Sequence, residues 1–340
     1  WISLAFVQAG ICVCVPAFLL GALLAEAMPI WPAIISGSLG YLIVVVGMVA
    51  TGMIGCDLGL ASCTCCQAGF GKSGARFIVS TIFAVNMIGW FGIQNGVCGE
   101  AFSNAMLAMT GWDIPVVVSN TIWGIIMLLT AVYGVHALEK LDKISIPLLM
   151  IIMCYGTFLA FKVYGTGNLN DEGTVQSMSF MSGVALSFNF TAVGTITGPD
   201  YTRFQKSRKD TVKSVFYGVF PMGVITLIMG IVLTKLSGQY DISMVLIEVG
   251  LPLLGIIALV ISTWTTNSTN AYSAGLNIVM ALKLKDNRRR EATLISGIVG
   301  IVLCDLGILG HVEGVLSLLS YVVCPVGGEW IKSFEKITHR

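Results

Sequence analysis

The chain has 340 residues, of which 56% are hydrophobic and 11% are charged, and its formal net charge is +1. Because a soluble domain carries about 25% charged residues, this composition excludes an ordinary soluble protein and predicts an integral membrane protein. A transmembrane barrel would show alternating segments of about ten residues. The apolar runs here reach about 20 residues, the length of a helix that crosses a bilayer.

Ten apolar runs follow one another along the chain, and each predicts a membrane-spanning helix. The first run is too long and too rich in glycine for a signal peptide, so we interpret it as a retained span. Since the chain starts with Trp1, we expect a short cytosolic leader to be missing. The runs cover residues 3–25, 31–55, 75–104, 114–137, 143–163, 177–198, 211–235, 250–281, 291–310 and 313–332.

The basic residues alternate from loop to loop. Of the 19 Lys and Arg residues, 17 fall in or beside every second loop or after the last run, and only Lys162 and Lys235 fall on the opposite side. The positive-inside rule makes the basic side cytoplasmic. The pattern therefore predicts a multi-pass protein of the plasma membrane with both termini in the cytosol. Short basic clusters between spans do not suggest a nucleic-acid partner.

The ten runs divide into two halves, residues 1–163 and 177–332, within a single transmembrane domain covering residues 1–340. Because five is odd, the second half enters the membrane from the opposite side, and a repeat of five spans would be inverted. Runs one and six are both interrupted by glycine, proline and small residues, in FVQAGICVCVPAFLLG and SFNFTAVGTITGPD. Interrupted spans at matching positions of two halves indicate the substrate site of a secondary transporter.

Run eight carries eight hydroxyl or amide side chains among the nine residues 262–270. At helical spacing one face offers hydroxyl oxygens suited to a small hard cation, namely Ser262, Thr265, Thr266 and Thr269. The adjacent face offers hydroxyl and amide groups suited to a planar polar ligand, namely Thr263, Asn267 and Asn270. The alternative is that these residues make hydrogen bonds between helices, as is common in membrane bundles.

Run three places Trp90 in mid-span, away from the interfacial belt where tryptophan is usual. Small neighbours on both sides would let a flat ligand approach the ring, although plain packing is an equal alternative. Phe190 of run six is the expected second aromatic face. We expect Gln94 and Asn95, one turn beyond Trp90, to pair with run ten or to line the access path.

Charged residues within the runs lie near their ends, where a gate role or snorkelling is favoured over substrate contact. A proton relay through Glu100 is an alternative role for that residue. Asp305 lies near the outer end of run nine. We expect Asp200 and Arg203 to form a solvated pair in a loop. No catalytic motif is recognisable, so we expect neither an enzyme nor an organic cofactor. The SCTCC group at residues 62–66 lacks the spacing of a metal site.

Five motifs resemble those of the nucleobase–cation symporter family 1, with the greatest likeness to its cytosine permeases. The likeness extends from the first span to the last. The WTTN motif of run eight is fairly specific, whereas GWFG alone would be weak evidence. The five motifs are FVQAG in run one, GWFG in run three, TRF after run six, WTTN in run eight and CPVGG in run ten.

The resemblance implies an all-α LeuT-type fold in which spans 1–5 and 6–10 form inverted repeats. It also implies that the nucleobase lies between Trp90 and an aromatic of span six, Phe190 or alternatively Phe188. By the same resemblance the base edge is read by Asn267 and Asn270, and Gln94 joins the substrate site. Sodium would be bound by backbone carbonyls of the interrupted span one and by hydroxyls of span eight, namely Gly10, Cys14, Ser262, Thr265 and Thr266.

The chain departs from the family pattern in three respects. Family members typically have twelve spans, against ten here. Cytosine permeases tend to have Asn where this chain has Ser262, which still offers an oxygen to sodium. Span one has Pro16 and two cysteines where those permeases are richer in Ser and Phe, so the substrate is left open.

The resulting hypothesis is a sodium-coupled symporter that imports a nucleobase such as cytosine, or a related purine- or pyrimidine-like heterocycle, by alternating access. One alternative is a proton-coupled carrier of a vitamin-like, hydantoin-type or allantoin-type heterocycle. Others are an amino-acid carrier of the same fold and, in a different class, a non-transporting membrane sensor. The expected partners are the small heterocycle, sodium or a proton, and the lipid bilayer.

Overall fold

The computed structural model describes residues 1–133, 135–170, 177–240 and 242–338. The architecture is α-helical, as the sequence predicts. A π-helical turn, Ala75–Val79, joins α5 to α6. The α-helices are, in chain order, α1 (Ile2–Cys12), α2 (Val15–Ala27), α3 (Ile30–Leu58), α4 (Ser62–Cys65), α5 (Gln67–Gly74), α6 (Ser80–Thr110), α7 (Val116–Tyr133), α8 (Val135–Tyr164), α9 (Phe180–Thr191), α10 (Gly194–Thr202), α11 (Arg208–Ser237), α12 (Ile242–Glu248), α13 (Pro252–Ala281), α14 (Arg289–Asp305) and α15 (Val312–Thr338).

Each of the ten predicted runs contains helix, with α1 and α2 sharing the first run and α9 and α10 sharing the sixth. By length and apolar character, six helical segments of the described chain could cross a membrane, or seven if the bent pair α1 and α2 is one span. The segments outside this set are α7, which is short, α13, which is polar in its middle, and α14, which has 17 residues. The count of ten spans stays a prediction.

The first span is sharply broken. Helix α1 ends at Cys12 and α2 begins at Val15, and the two helices are bent by 61°. Between them Cys14 has extended backbone angles, and Pro16 lies in the first turn of α2, where a missing N–H costs no helical hydrogen bond. The Thr226 hydroxyl of α11 lies 3.2 Å from the Cys12 carbonyl oxygen and can donate to it. The Cys12 carbonyl at the end of α1 thus has a hydroxyl group of another helix within hydrogen-bond distance.

The sixth span is interrupted more gently. Helix α9 ends at Thr191 and α10 begins at Gly194. The backbone angles of Ala192 and Val193, between the two helices, remain in the right-handed helical region. Pro199 lies inside α10, which runs on to Thr202. The interruption therefore comes before the glycines and the proline that mark it in the sequence.

The spans assemble into two groups of helices. The first bundle comprises α1, α2, α3, α9, α10 and α11, and the second bundle comprises α6, α7, α13 and α14. Between the bundles, α2 packs against α6 and α13, while α8 contacts both α11 and α13, and α15 contacts α3, α6 and α9. Each bundle draws two predicted spans from each half of the chain, as an inverted repeat of five would. The limits of the repeats, 1–163 and 177–332, stay a prediction.

The broken first span is held closely against α11 by glycine. A Cβ atom on Gly230 would lie 2.3 Å from the Phe18 carbonyl oxygen, and one on Gly218 would lie 2.5 Å from that of Ala5. From the other side, a Cβ atom on Gly21 would lie 2.4 Å from the Leu227 carbonyl oxygen. Membrane helices associate through such small residues because close backbone approach maximises van der Waals contact.

We expect Gly230→Ala to lower the stability of the protein by about 1–3 kcal/mol, because the new methyl group meets backbone atoms that cannot rotate away. Gly328→Ala is the matched control, since Gly328 lies within α15 and no neighbouring atom lies within 4 Å of its Cβ position. Thermal unfolding of the two variants in detergent measures the difference. Equal melting temperatures for both variants would contradict this close packing.

Candidate functional site

Two aromatic rings meet where the two bundles face each other. Trp90 projects from α6 of the second bundle, and Phe190 projects from α9 of the first. Their ring centroids are 5.0 Å apart and their planes are inclined at 83°, an edge-to-face contact. Both side chains are buried, at 8% and 5% exposure, in a cluster that includes Cys12 and Cys14 at the break of the first span. The rings therefore lie beside the interruption but do not form an open parallel slot.

The structure separates the two aromatic candidates of the sixth span. Phe190 contacts Trp90, whereas Phe188 is partly exposed. The backbone nitrogen of Phe188 lies 2.7 Å from the Cβ position of Gly40, so this part of α9 is packed against α3. The geometry therefore favours Phe190 over Phe188 as the ring opposite Trp90.

Gln94 and Asn95 occupy different environments. The Gln94 side chain is 3% exposed, and its Oε1 atom has no hydrogen-bond partner among the described residues. Asn95 is fully buried, and its Nδ2 donates to the carbonyl oxygen of Asn120 in α7 at 2.9 Å. The expectation that this pair faces the tenth span or the access path is therefore wrong for Asn95, because its amide faces α7.

An amide that the sequence analysis did not assign lies next to Phe190. The Asn189 Nδ2 donates to the Ser317 hydroxyl at 3.1 Å, and the Ser320 hydroxyl donates to the Asn189 Oδ1 at 2.7 Å. Both serines belong to α15, so this amide joins the sixth span to the tenth. In the sequence, only the position of Asn189 next to Phe190 indicates a role at this site. A single Asn does not indicate which neighbouring helix its side chain meets.

The polar stretch of α13 serves contacts between helices on more than one side. The Asn267 side chain is fully buried, and its Nδ2 donates to the carbonyl oxygen of Phe91, next to Trp90, at 3.1 Å. On the α7 side, the Ser268 hydroxyl donates to Met127 and the Trp264 indole N–H donates to Thr130, both at 3.0 Å. Interhelical bonding, the alternative interpretation of the sequence, thus accounts for part of this stretch.

Asn270 is linked to Asn267 and not to another helix. Its Nδ2 lies 3.5 Å from the Asn267 Oδ1, and its side chain is partly exposed. The side chains of Asn267 and Asn270 therefore differ in how freely they can rotate. The Asn267 Nδ2 donates to α6 through the Phe91 carbonyl oxygen and to α7 through the Met127 sulfur at 3.4 Å, while Asn270 can turn without breaking a contact between helices.

The predicted cation ligands of α13 keep their oxygen lone pairs. The Ser262 hydroxyl donates to the Leu259 carbonyl oxygen at 3.2 Å, and the Thr265 and Thr266 hydroxyls donate to the Ser262 carbonyl oxygen at 3.0 Å. A hydroxyl that donates within its own helix still offers two acceptor lone pairs, and neutral oxygens of this kind suit a hard monovalent cation. Ser262 and Thr265 are buried, and Thr266 is partly exposed.

Of the predicted backbone ligands of the first span, Gly10 lies in α1 and Cys14 lies within the break. The Cys14 carbonyl accepts the Ala17 N–H at 3.0 Å, which starts α2. A Cβ atom on Gly10 would meet Ile146 of α8 at 2.8 Å. The structure packs α2, which directly follows Cys14, against α13, whereas Gly10 lies in α1 and is packed against α8.

A cavity of about 270 Å³ lies between the bundles on the predicted outer side. It extends from Val15, at the start of α2 beside the break, to Glu100 on α6 and to Val312, the first residue of α15. The Tyr240 hydroxyl, from the segment between α11 and α12, donates to the Glu100 carboxylate at 2.5 Å. Glu100 therefore lies at the edge of this cavity, in contact with the connection that leaves the first bundle.

The predicted cytoplasmic side is closed by the segment that contains α4. The Ser62 N–H donates to the Asp200 carboxylate at 2.9 Å, and the Cys63 thiol contacts Ser80 and Asn277 at 3.8 and 3.6 Å. Asp200 lies within α10 and Arg203 directly follows that helix, so the expected position of Asp200 in a solvated loop is wrong. Burial raises the pKa of the Cys63 thiol to about 11, and at neutral pH this group stays protonated.

We expect Asn267→Ala to destabilise the protein by about 1–3 kcal/mol, because the carbonyl oxygen of Phe91 loses its buried donor. Asn270→Ala serves as the control, since its amide bonds only within α13 at a long distance. Melting temperatures in detergent, without added ligand, compare the two variants. A larger loss for Asn270→Ala would show that Asn267 does not fasten α13 to α6.

Comparisons with known proteins identify the family of this chain. A family profile described as permease for cytosine/purines, uracil, thiamine and allantoin matches residues 1–333. The cytosine permease of Escherichia coli K12 is 30% identical over 287 residues, covering 83% of this chain and 65% of that protein. The purine-uracil permease NCS1 of Arabidopsis thaliana is 24% identical over 368 residues, covering 96% of this chain and 60% of that protein. The chain therefore spans about two thirds of the length of these relatives or less.

Among solved structures, the chain is similar to Mhp1, a nucleobase-cation-symport-1 family transporter in a closed conformation with bromovinylhydantoin bound. The TM-score is 0.79 at 19% identity, and the match covers 97% of this chain and 76% of Mhp1. This likeness confirms the predicted LeuT-like fold. With the family profile spanning nearly the whole chain, it follows that this multi-pass membrane protein belongs to the permease family for cytosine and purines, uracil, thiamine and allantoin.

Proposed function

We propose that this chain is a sodium-coupled symporter that imports a nucleobase such as cytosine, or a related purine- or pyrimidine-like heterocycle, across the plasma membrane. Transport in place of catalysis is supported by membership of a permease family and by relatives named for cytosine, purine and uracil transport. We place both termini in the cytosol, on the basis of the distribution of basic residues.

The observation that carries the proposal is the contact between Trp90 and Phe190, one ring from each bundle. A flat heterocycle stacked between them needs about 7 Å between the ring planes, twice the contact distance of about 3.5 Å between carbon atoms. The present edge-to-face contact leaves no such gap. Ligand binding therefore requires the two rings to part or turn, and through them it acts on both bundles.

The proposed cation site, like the aromatic pair, is formed by residues of both bundles. Oxygens of Ser262, Thr265 and Thr266 belong to the second bundle, whereas the carbonyls of Gly10 and Cys14 belong to the first. A sodium ion held by both sets would stabilise one relative position of the bundles. Ion and heterocycle then favour the same arrangement, which is the thermodynamic requirement for coupled binding.

The cavity that ends at Val15 supports access to the proposed site from the outside. The contacts of Ser62 and Cys63 support closure of the same site on the cytoplasmic side. Alternating access requires the reverse arrangement in a second state, with α4 withdrawn from the bundles. The driving force is supplied by the ion. One charge moving down a potential of 100 mV releases about 2.3 kcal/mol, before any concentration gradient is counted.

We expect purified chain in liposomes to accumulate a radiolabelled heterocycle from a panel of cytosine, uracil, hypoxanthine, allantoin and hydantoin when sodium is applied outside. Trp90→Ala and Phe190→Ala should each weaken ligand binding about tenfold, because each stacking partner contributes up to about 1.5 kcal/mol beyond its buried area. Phe188→Ala is the matched control and should bind normally.

Failure of every heterocycle to accumulate under any gradient would refute the proposal. Binding without accumulation would favour a membrane sensor, and competition by amino acids would favour an amino-acid carrier. Normal binding by Phe190→Ala together with loss in Phe188→Ala would transfer the stacking role to Phe188.

For the coupling ion, we expect Thr265→Ala to abolish the stimulation of ligand binding by sodium, because a buried hydroxyl ligand is lost. Thr269→Ala is the control on the same face, since its side chain is exposed. Ligand affinity is measured in sodium and in potassium at equal ionic strength. Uptake that follows a proton gradient and survives Thr265→Ala would instead establish a proton-coupled carrier.

A further inference from the structure

Three buried side-chain oxygens without a hydrogen-bond donor occur where α6, α7 and α14 meet, in the outer half of the second bundle. They are the Asn95 Oδ1, the Asn120 Oδ1 and the Asp305 Oδ1, and none has a partner within the described part of the chain. Asn95 is fully buried and Asn120 is 4% exposed, whereas Asp305 is partly exposed as a residue and only its Oδ1 atom is shielded. The stacking and cation sites proposed above use none of these three residues.

Short contacts draw the three helices together at this point. The Asn95 Nδ2 donates to the Asn120 carbonyl oxygen at 2.9 Å and joins α6 to α7. The Thr121 hydroxyl donates to the Asp305 Oδ2 at 3.3 Å and joins α7 to α14. The Cys304 thiol lies 3.5 Å from where a Cβ atom on Gly96 would be, so α14 packs closely against α6 at this glycine.

The unpartnered groups are all acceptors, and this restricts what can satisfy them. Leaving a buried acceptor without a donor costs about 1–3 kcal/mol, and native proteins seldom leave such groups unsatisfied. Asp305 adds a negative charge at the last residue of α14, the end at which the helix dipole is also negative. In the described chain no Lys, Arg or His forms an ion pair with it. A positive charge would relieve all of these costs together.

The oxygen ligands available at this position favour a hard, monovalent cation. Carboxylate, amide and hydroxyl oxygens are hard ligands and do not favour zinc or copper, which prefer nitrogen and sulfur. A single carboxylate neutralises one positive charge, whereas calcium sites usually draw on several carboxylates. A sodium ion beside the Asp305 carboxylate would balance its charge next to two buried asparagine side chains.

We propose that Asp305, Thr121, Asn120 and Asn95 form a second sodium site that fastens α7 and α14 onto α6. Asp305 supplies the charged ligand, Thr121 a hydroxyl oxygen, and the two asparagines their side-chain oxygens. The site lies wholly within the second bundle, so the ion stabilises that bundle and need not leave it during transport. It does not depend on the proposed function, because a cation held here is independent of the ion that drives uptake.

The test measures the melting temperature of the purified full chain in sodium chloride and in choline chloride at equal ionic strength. All variants carry Thr265→Ala, which removes the cation site proposed on α13. We expect Thr265→Ala alone to keep a rise in melting temperature with sodium. Adding Asp305→Asn should abolish that rise, and adding Asp113→Asn, an exposed acid in the segment between α6 and α7, should leave it intact.

A second variant guards against a folding defect. Thr121→Ala keeps the carboxylate, so we expect its melting temperature in choline to stay near that of the parent while sodium affinity falls. Direct binding of radioactive sodium should count one ion fewer per chain after Asp305→Asn in the otherwise unaltered protein.

Absence of a sodium response in Thr265→Ala would overturn the proposal and indicate that only water occupies this position. A response that survives Asp305→Asn, or stabilisation by low pH without any effect of sodium, would overturn it as well. If Thr265→Ala behaves like the unaltered protein in sodium and both lose the response with Asp305→Asn, the second site stands and the site proposed on α13 fails.

Discussion

Hydrocarbon offers no hydrogen bonds, so every backbone N–H and C=O of a chain in the bilayer must find its partner within the protein. The break between Cys12 and Val15 is the place where this chain departs furthest from a continuous helix. It is tolerated because α11 lies close enough for the Thr226 hydroxyl to reach the Cys12 carbonyl. That closeness depends on Gly218 and Gly230, since any side chain there would push α11 away.

The position of the break explains why the other features gather around it. The aromatic pair and the cavity beginning at Val15 lie between the bundles beside the broken span, and α13, which carries the hydroxyls, packs against α2 from the second bundle. In the proposed mechanism the gap between the bundles is where ligand and ion bind, so occupancy and the position of the bundles change together.

The polar residues illustrate how far periodicity carries a prediction. Helical spacing separates the hydroxyl face of run eight from its amide face, and the structure retains that division. Spacing alone does not say which face meets a neighbour, however, and Asn267 and Ser268 turn out to bond to α6 and α7. Asn95 was misplaced for the same reason, because its helix offers several neighbours and the sequence does not specify which one it meets.

By itself the sequence determined that the chain is an all-α membrane protein, where helix occurs in ten runs, and which two spans are interrupted. These properties follow from hydrophobic length and from local breaker residues, which act over a few neighbouring positions. Only the tertiary structure decided that Phe190 and not Phe188 meets Trp90, that Asp200 accepts the Ser62 N–H of α4, and that Asp305 accepts the Thr121 hydroxyl of α7. Such pairings join residues up to 184 positions apart and depend on helix rotation and on the close approach permitted by glycine, which no local pattern encodes.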